Sequence, residues 1–195
     1  MLCTHREDVT VINERALRLH FAADQIIELA PRHTAVEMPE LDAWATDPSF
    51  HRLSCIAIGA PVVFTANTDV AQDAANGCTG TIVGVRRYRA RISTVRVRLD
   101  DNDHEIDVHR RTIHRTWLRG QEYRRETFPL ELAYAITAHK AQGATLRSLT
   151  VVHPRRVFCP GQLYVMLSRV TDRAMLRLTR LPSPEEFVPL MLGAP

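Results

Sequence analysis

The sequence predicts an α/β protein in which a parallel sheet is interrupted by a small antiparallel β unit. Three observations carry that expectation. Near both ends of the chain, short β-branched runs alternate with helical periods, the pattern of strand–helix units that build parallel sheets. Between them the apolar period drops to two, and turn residues are spaced closely enough for hairpins. The chain has 195 residues, 45% of them hydrophobic and 24% charged. That is an ordinary globular balance, with length enough to bury about 70% of the unfolded surface.

The opening residues read as the end of a strand followed by a helix. Thr4 and Glu7 have capping-box spacing, and Val9, Ile12, Ala16 and Leu19 recur at helical intervals. Arg6 falls in the first turn of that helix, where a cation opposes the helix dipole and is either solvated or aimed at an anion. From Pro31 to Leu53 there are three prolines and no sustained period, which predicts a linker or an irregular excursion. From Ile56 the pattern becomes short strands: IAIGAPVVF, then GTIVGV after the Asn76–Gly77 turn, then Val95, Val97 and Leu99 alternating with Arg96 and Arg98. The Asp100–Asp103 cluster supplies a further turn before Ile106 and Val108. Alternation places Arg96 and Arg98 on the solvent side of this unit.

After Phe128 and Pro129 the spacing predicts a helix, with Leu130, Tyr134 and Ala138 on one stripe and Leu132, Ala135 and Ile136 beside it. Gly143 is its expected end. Thr137, His139 and Lys140 are thereby expected in the last helical turn. Leu149 to Val152 suits a buried strand, GQLYVMLSR a second helix ending in Ser168 and Arg169, and Met175, Leu176 and Leu178 another strand. Ser183 and Glu186, with Pro184 at a first helical position, predict a short final helix.

The chemistry-bearing residues are cationic. Lysine and arginine total 25 against 22 acidic residues, and Lys140 is the single lysine. A chain that writes arginine for every other surface cation keeps one compact ammonium inside AITAHKAQGATL. Arg86, Arg87, Arg89, Arg91, Arg96 and Arg98 form one basic run and Arg110, Arg111, Arg115, Arg119, Arg124 and Arg125 a second; such runs are solvated faces or stripes that track a phosphate backbone. Thr137, His139, Lys140 and Gln142 form a set able to grip phosphates, the competing explanation being cations that stabilise a helix C-terminus. Arg169, at the end of a helix, suits delivery of a fork-shaped charge to a phosphate, or else a surface ion pair with Asp172.

Several classes are excluded. There is no G-x-S-x-G, no H-E-x-x-H and no paired-carboxylate motif. Cys3, Cys55, Cys78 and Cys159 lack zinc spacing, so no metal site is expected, and the thiols should be reduced and mostly buried. No apolar run approaches the ~20 residues of a membrane span, and no secretory signal opens the chain. An intracellular protein without a membrane partner is expected, its compartment open.

Five ordered blocks carry a resemblance. LCTHREDVTVINERAL, IAIGAPVVFTANTD, NGCTGTIVGV, FPLELAYAITAHKAQGATL and GQLYVMLSRVTD closely resemble the C-terminal half, motifs IV to VI, of Pif-family superfamily 1B DNA helicases. That group includes the helicase part of Helitron transposons, and the RecD enzymes share its layout. The resemblance implies a RecA-like parallel sheet with an inserted small antiparallel β-barrel. Residues 1–54 and 126–195 would form the second RecA-like domain, and 55–125 the Src-homology-like barrel. It implies Arg169 as the catalytic arginine finger, and Arg6, Gln142, Gly143 and Arg169 around nucleotide. Thr137, His139, Lys140, Asn67 and Asn76 would face single-stranded DNA. Ala141 and Met166 stand where the family usually has serine and alanine, and Asp73-Ala74-Ala75 replaces a commoner Gly-Leu-Val, changes that leave the charged positions intact.

No G-x-x-x-x-G-K-[ST] and no Asp-Glu pair after a buried strand occur, so ATP and Mg²⁺ are expected to be bound mainly by an N-terminal RecA-like domain outside this chain, which by itself should not hydrolyse ATP. The implied whole is an ATP-dependent 5′ to 3′ helicase, in the family's settings of DNA repair, recombination and telomere maintenance. The alternative is a non-catalytic DNA-binding remnant of a transposon-type helicase.

Overall fold

The computed structural model of the chain describes residues 1–29, 32–33, 53–68, 74–89, 91–118, 121–141, 146, 148–152 and 161–183. Among these, the strands in chain order are β1 (Leu2–Cys3), β2 (Ile27–Glu28), β3 (Arg32–His33), β4 (Cys55–Ile56), β5 (Pro61–Phe64), β6 (Thr79–Tyr88) and β7 (Arg91–Leu99). They continue with β8 (Glu105–His109), β9 (Arg111–Leu118), β10 (Gln121–Thr127), β11 (Leu130–Leu132), β12 (Ile136–Thr137), β13 (Leu149–Val151) and β14 (Leu176–Leu178). The helices are α1 (Arg6–His20) and α2 (Gln162–Leu167). The chain divides into two compact units, Met1–Glu14 with Tyr134–Pro195, and Arg15–Ala133.

The first unit is built on a parallel sheet of order β12-β1-β13-β14. Its two inner strands, β1 and β13, are short and largely apolar because their side chains are mostly buried, whereas β12 and β14 are partly exposed. Leu2, Leu149 and Val151 join Ala138, Ala141 and Met166 in one cluster, with Leu176 and Leu178 packed against it. Cys3 on β1 is fully buried, and loss of hydration pushes its thiol up to about 11. Cys55 and Cys78, expected to be buried, are half-exposed, and Cys159 lies outside the described residues.

Helix α1 forms where it was expected, but on a different stripe. Leu19 is 83% exposed, while Val9, Asn13 and Leu17 are buried at i, i+4 and i+8. The apolar count overlooked Asn13 because a polar residue does not register as a core position. Its Oδ1 accepts the Ala135 N–H at 2.8 Å and its Nδ2 donates to the Ala135 carbonyl at 3.0 Å, so one amide satisfies both backbone groups of a fully buried residue. The Thr4–Glu7 capping box does not form. The Thr4 hydroxyl is buried with no partner among the described residues, so it does not cap the Glu7 N–H.

Among the described residues 130–141, the helix expected from Leu130 to Gly143 is not present. The segment instead forms β11, β12 and a turn. A short apolar run fits both periods, and backbone partners decided the outcome. Leu130 pairs with Phe64 and Leu132 with Val62; the Ile136 N–H bonds the Met1 carbonyl and the Ala138 N–H the Cys3 carbonyl at 2.9 Å.

The second unit is antiparallel. A five-stranded sheet has the order β11-β5-β6-β7-β8, beside a three-stranded sheet β3-β10-β9 and the pair β2-β4. Val95, Val97 and Leu99 point inward as expected, Arg98 is exposed and Arg96 half-buried. Gly77 supplies the positive φ, 94°, that the turn before β6 requires. Gly80 allows β6 and β7 to approach, since a Cβ there would stand 2.5 Å from the Arg98 carbonyl oxygen. Among the described residues β11 and β8 remain the two ends of the larger sheet, so a closed barrel is not seen. The β9–β10 hairpin was not foreseen, because its arginine-rich strands carry little apolar alternation. The excursion from Pro31 to Leu53, apart from β3 and Leu53, and the helix expected beyond Ser183 lie outside the described residues.

Candidate functional site

In a parallel sheet every strand ends on the same edge, and open α/β sheets bind ligands beyond the carboxyl ends of their strands. β1 and β12 are parallel neighbours, with Leu2 opposite Ile136 and Cys3 opposite Thr137. The segments leaving them, Thr4-His5-Arg6 and Ala138-His139-Lys140-Ala141, therefore emerge side by side. Arg6 begins α1 and is exposed, its charge offset in the same turn by Glu7 and Asp8.

After β12 the chain opens a helical turn over residues 138–141. The Thr137 carbonyl accepts the Ala141 N–H at 3.2 Å, and its hydroxyl accepts the Lys140 N–H at 3.4 Å. Threonine suits this position because its side chain replaces the backbone acceptor that a turn opening lacks. Ala138 and Ala141 face the core at 3% and 0% exposure. The intervening His139 is thereby exposed and Lys140 left half-buried. The explanation of these cations as stabilisers of a helix C-terminus is overturned, because they follow a strand and open a turn rather than close a helix.

Arg169 lies just past α2, whose Leu163 and Met166 are buried while Tyr164 is 69% exposed. The guanidinium is half-exposed and held to its own helix end: Nε donates to the Val165 carbonyl and Nη2 to the Ser168 hydroxyl, both at 2.9 Å. The Arg169 carbonyl accepts the Leu146 N–H at 2.7 Å. Asp172, the alternative partner, uses Oδ1 to cap the following 3-10 turn at the Ala174 N–H. Met166 of α2 packs in the same cluster as Ala138 and Ala141, so one core supports the turn bearing Lys140 and the helix bearing Arg169. Gln142 and Gly143 lie outside the described residues.

Asn67 and Asn76 belong to the second unit, where both are exposed and the Asn67 Oδ1 accepts the Asn76 N–H at 2.8 Å. Arg111 donates to the Asn67 and Thr68 carbonyls at 2.5 and 3.2 Å, clamping that loop. Neither Asn13 nor Arg111 was singled out for such a role. Asn13 had left a trace as the one polar residue at i+4 between Val9 and Leu17, whereas nothing distinguished Arg111 within its basic run. Asp107, bonded by Arg96 Nε at 2.8 Å and approached by Arg86 at 3.0 Å, is held below the usual carboxylate range chiefly by the Arg96 hydrogen bond. Among the described residues no group of His, Cys, Asp and Glu could hold a metal, and no helix is long and apolar enough to cross a membrane.

No protein-family model matches the chain. It is 33% identical over 178 residues to the ATP-dependent DNA helicase PIF1 of Homo sapiens, covering 91% of this chain and 26% of that protein. It is 37% identical over 124 residues to the Pif1 of Bdellovibrio bacteriovorus, covering 63% and 26%. The structure of a Bacteroides Pif1 bound to ssDNA superposes with a TM-score of 0.73 at 27% identity, over 96% of this chain and 42% of that one. The chain belongs to the Pif1 family of helicases. A second Bacteroides Pif1 structure, in complex with ADP-AlF3 and ssDNA, matches with a TM-score of 0.72 at 26% identity. The Pif1 mixed α/β fold thus accounts for both the parallel sheet and the antiparallel unit. This Pif1-family chain spans about a quarter of the length of the curated relatives it matches.

Proposed function

We propose that this chain supplies the second RecA-like domain, with its inserted β unit, of an ATP-dependent DNA helicase that moves 5′ to 3′ along single-stranded DNA. The domain would comprise residues 1–54 and 126–195, and the insert residues 55–125. The observation that carries the reading is the placement of Arg6 and Lys140 on neighbouring parallel strand ends, with Arg169 supported by the same core. In this reading Arg169 is the catalytic arginine, with Arg6, Gln142 and Gly143 completing the nucleotide side. Thr137, His139 and Lys140, together with Asn67 and Asn76, contact the DNA.

ATP is the substrate, bound between this domain and an N-terminal RecA-like partner. The donors here fit a polyanion: a half-exposed guanidinium fixed at a helix end and an exposed arginine at a helix start. Guanidinium groups do not coordinate a metal, so in this reading Mg²⁺ falls to carboxylates of the partner domain, and this chain alone is expected to lack ATP hydrolysis. Bound metal neutralises phosphate charge. The task of this chain is to add a rigid guanidinium as charge develops on the phosphoryl group. Thr137 holds the turn that presents Lys140, so movement of the turn with its sheet carries the DNA contact along.

The test is single-strand binding by the 195-residue chain as a function of salt, followed by DNA-stimulated ATPase after addition of an N-terminal half. Lys140→Ala is expected to weaken binding and to reduce the log–log salt slope by about 0.7, the value for one lost phosphate contact on a single strand. An unchanged slope removes Lys140 from the DNA interface.

A further inference from the structure

The basic run at Arg86–Arg91 plays no part in the reading above, and the structure gives it a definite shape. β6 and β7 extend as a two-stranded arm beyond their neighbours. β5 pairs with β6 only at Thr79–Thr81, and β8 pairs with β7 only from Thr94 to Arg98. Past that point Arg87 is opposite Ile92, and Tyr88 opposite Arg91. Ile92 is buried and Ser93 bonds the Arg86 carbonyl, which anchors the root of the arm. The tip is different in kind.

Arg87, Tyr88, Arg89 and Arg91 are all exposed, Tyr88 to 61%. The Arg89 guanidinium lies over the Tyr88 ring, 5.3 Å from its centroid, and Arg91 is the cross-strand neighbour of that ring. Arg86 is committed to Asp107 at 3.0 Å. Among the described residues no carboxylate pairs with Arg87, Arg89 or Arg91. Arg89 also holds φ at 48°, a left-handed conformation that tight hairpins ordinarily assign to Gly, Asn or Asp. The apex therefore keeps a long cation where turn chemistry favours a small residue.

We infer that the tip of the β6–β7 arm is a second nucleic-acid contact, in which Arg87, Arg89 and Arg91 hold phosphates while Tyr88, backed by Arg89, stacks on an unpaired base of single-stranded DNA. The inference rests on the single-strand-binding reading and adds to it, beyond Asn67 and Asn76, a further site in the inserted unit. Three cations around one exposed ring match a ligand that repeats a charge and a flat apolar face at each unit, which is the chemistry of a single strand. A carboxylate-rich protein surface would use the arginines and leave the ring without a counterpart. A duplex would offer phosphates but no free base face.

The test measures binding of the whole chain to a fluorescent oligo-dT, to an abasic oligonucleotide and to a blunt duplex across a salt series. Arg87→Gln/Arg89→Gln/Arg91→Gln should lower the single-strand salt slope by about 2, at about 0.7 per contact. Tyr88→Ala should weaken oligo-dT binding by about 5- to 150-fold, as expected for one lost stacked base, and leave abasic binding unchanged; Tyr88→Phe should bind like the parent. Arg89→Gly keeps the turn while removing the charge, so it should retain the parent's circular dichroism and melting temperature yet bind more weakly. An equal loss for Tyr88→Ala on the abasic strand overturns the stacking assignment. A loss confined to the duplex overturns the choice of ligand. Tip variants that bind like the parent while Lys140→Ala does not sink the arm and leave the proposed function standing, and the converse pattern separates the two in the other direction.

Discussion

Replacing Arg169 by alanine, in a helicase reassembled from this chain and an N-terminal half, is expected to abolish ATP turnover while leaving ATP binding nearly intact. The expected loss is about a thousandfold to a hundred-thousandfold, the range for an arginine that stabilises a transferring phosphoryl group. The asymmetry between binding and turnover follows from where the charge is needed. In the proposed reading the ground-state phosphates are held mainly by the other domain, whereas extra negative charge on the phosphoryl oxygens exists only in the transition state. The geometry supports a rigid delivery, because Nε is bonded to the Val165 carbonyl and Nη2 to Ser168, which fixes the guanidinium plane on the end of α2. Arg169→Lys should rescue little, since an ammonium cannot reproduce a fork whose one edge is already used. Initial rates of phosphate release and equilibrium binding of a fluorescent ATP analogue decide the matter. Turnover within threefold of the parent would remove Arg169 from the catalytic role.

The second large effect concerns stability. Asn13→Leu should destabilise the chain by about 2–6 kcal/mol, because it orphans two buried backbone groups at about 1–3 kcal/mol each. Both groups belong to Ala135, which is fully buried, and both partners are on the single Asn13 amide. Leucine keeps the branching and heavy-atom count of asparagine, so the substitution leaves no cavity, and its bulkier methyl groups add some crowding to the hydrogen-bond loss. Domain stabilities are only about 5–15 kcal/mol, so such a loss would leave the first unit marginal. Urea unfolding followed by circular dichroism measures it. A stability change below about 0.5 kcal/mol would show that water or a backbone shift satisfies Ala135. Ala135 immediately precedes β12, so the same variant should also disturb the turn that carries Lys140.

Particular residues show how much of the site was legible. The cations themselves could be read directly: Lys140 stood out by composition, Arg169 by its place at the end of GQLYVMLSR, and Arg6 by its position after Leu2-Cys3. Their settings were only partly readable. Thr137, His139 and Lys140 were placed at a helix C-terminus, and the structure puts Thr137 at the end of a strand and His139 and Lys140 in the turn after it, because Ile136 and Ala138 hydrogen-bond to Met1 and Cys3 more than a hundred residues earlier. Asn13 was passed over since its value depends on Ala135, 122 residues away.

Local information determined the alternation of β6, β7 and β8, the turn at Asn76 and Gly77, the strand at Leu149–Val151, and the family blocks, because side-chain period and turn chemistry are properties of a few adjacent residues. Tertiary structure alone decided that Leu130–Leu132 and Ile136–Thr137 pair as strands, that Asn13 rather than Leu19 faces the core, and that Arg111 clamps the Asn67 loop. In each case two local conformations or several equivalent arginines were nearly balanced, and a backbone partner distant in sequence tipped the choice.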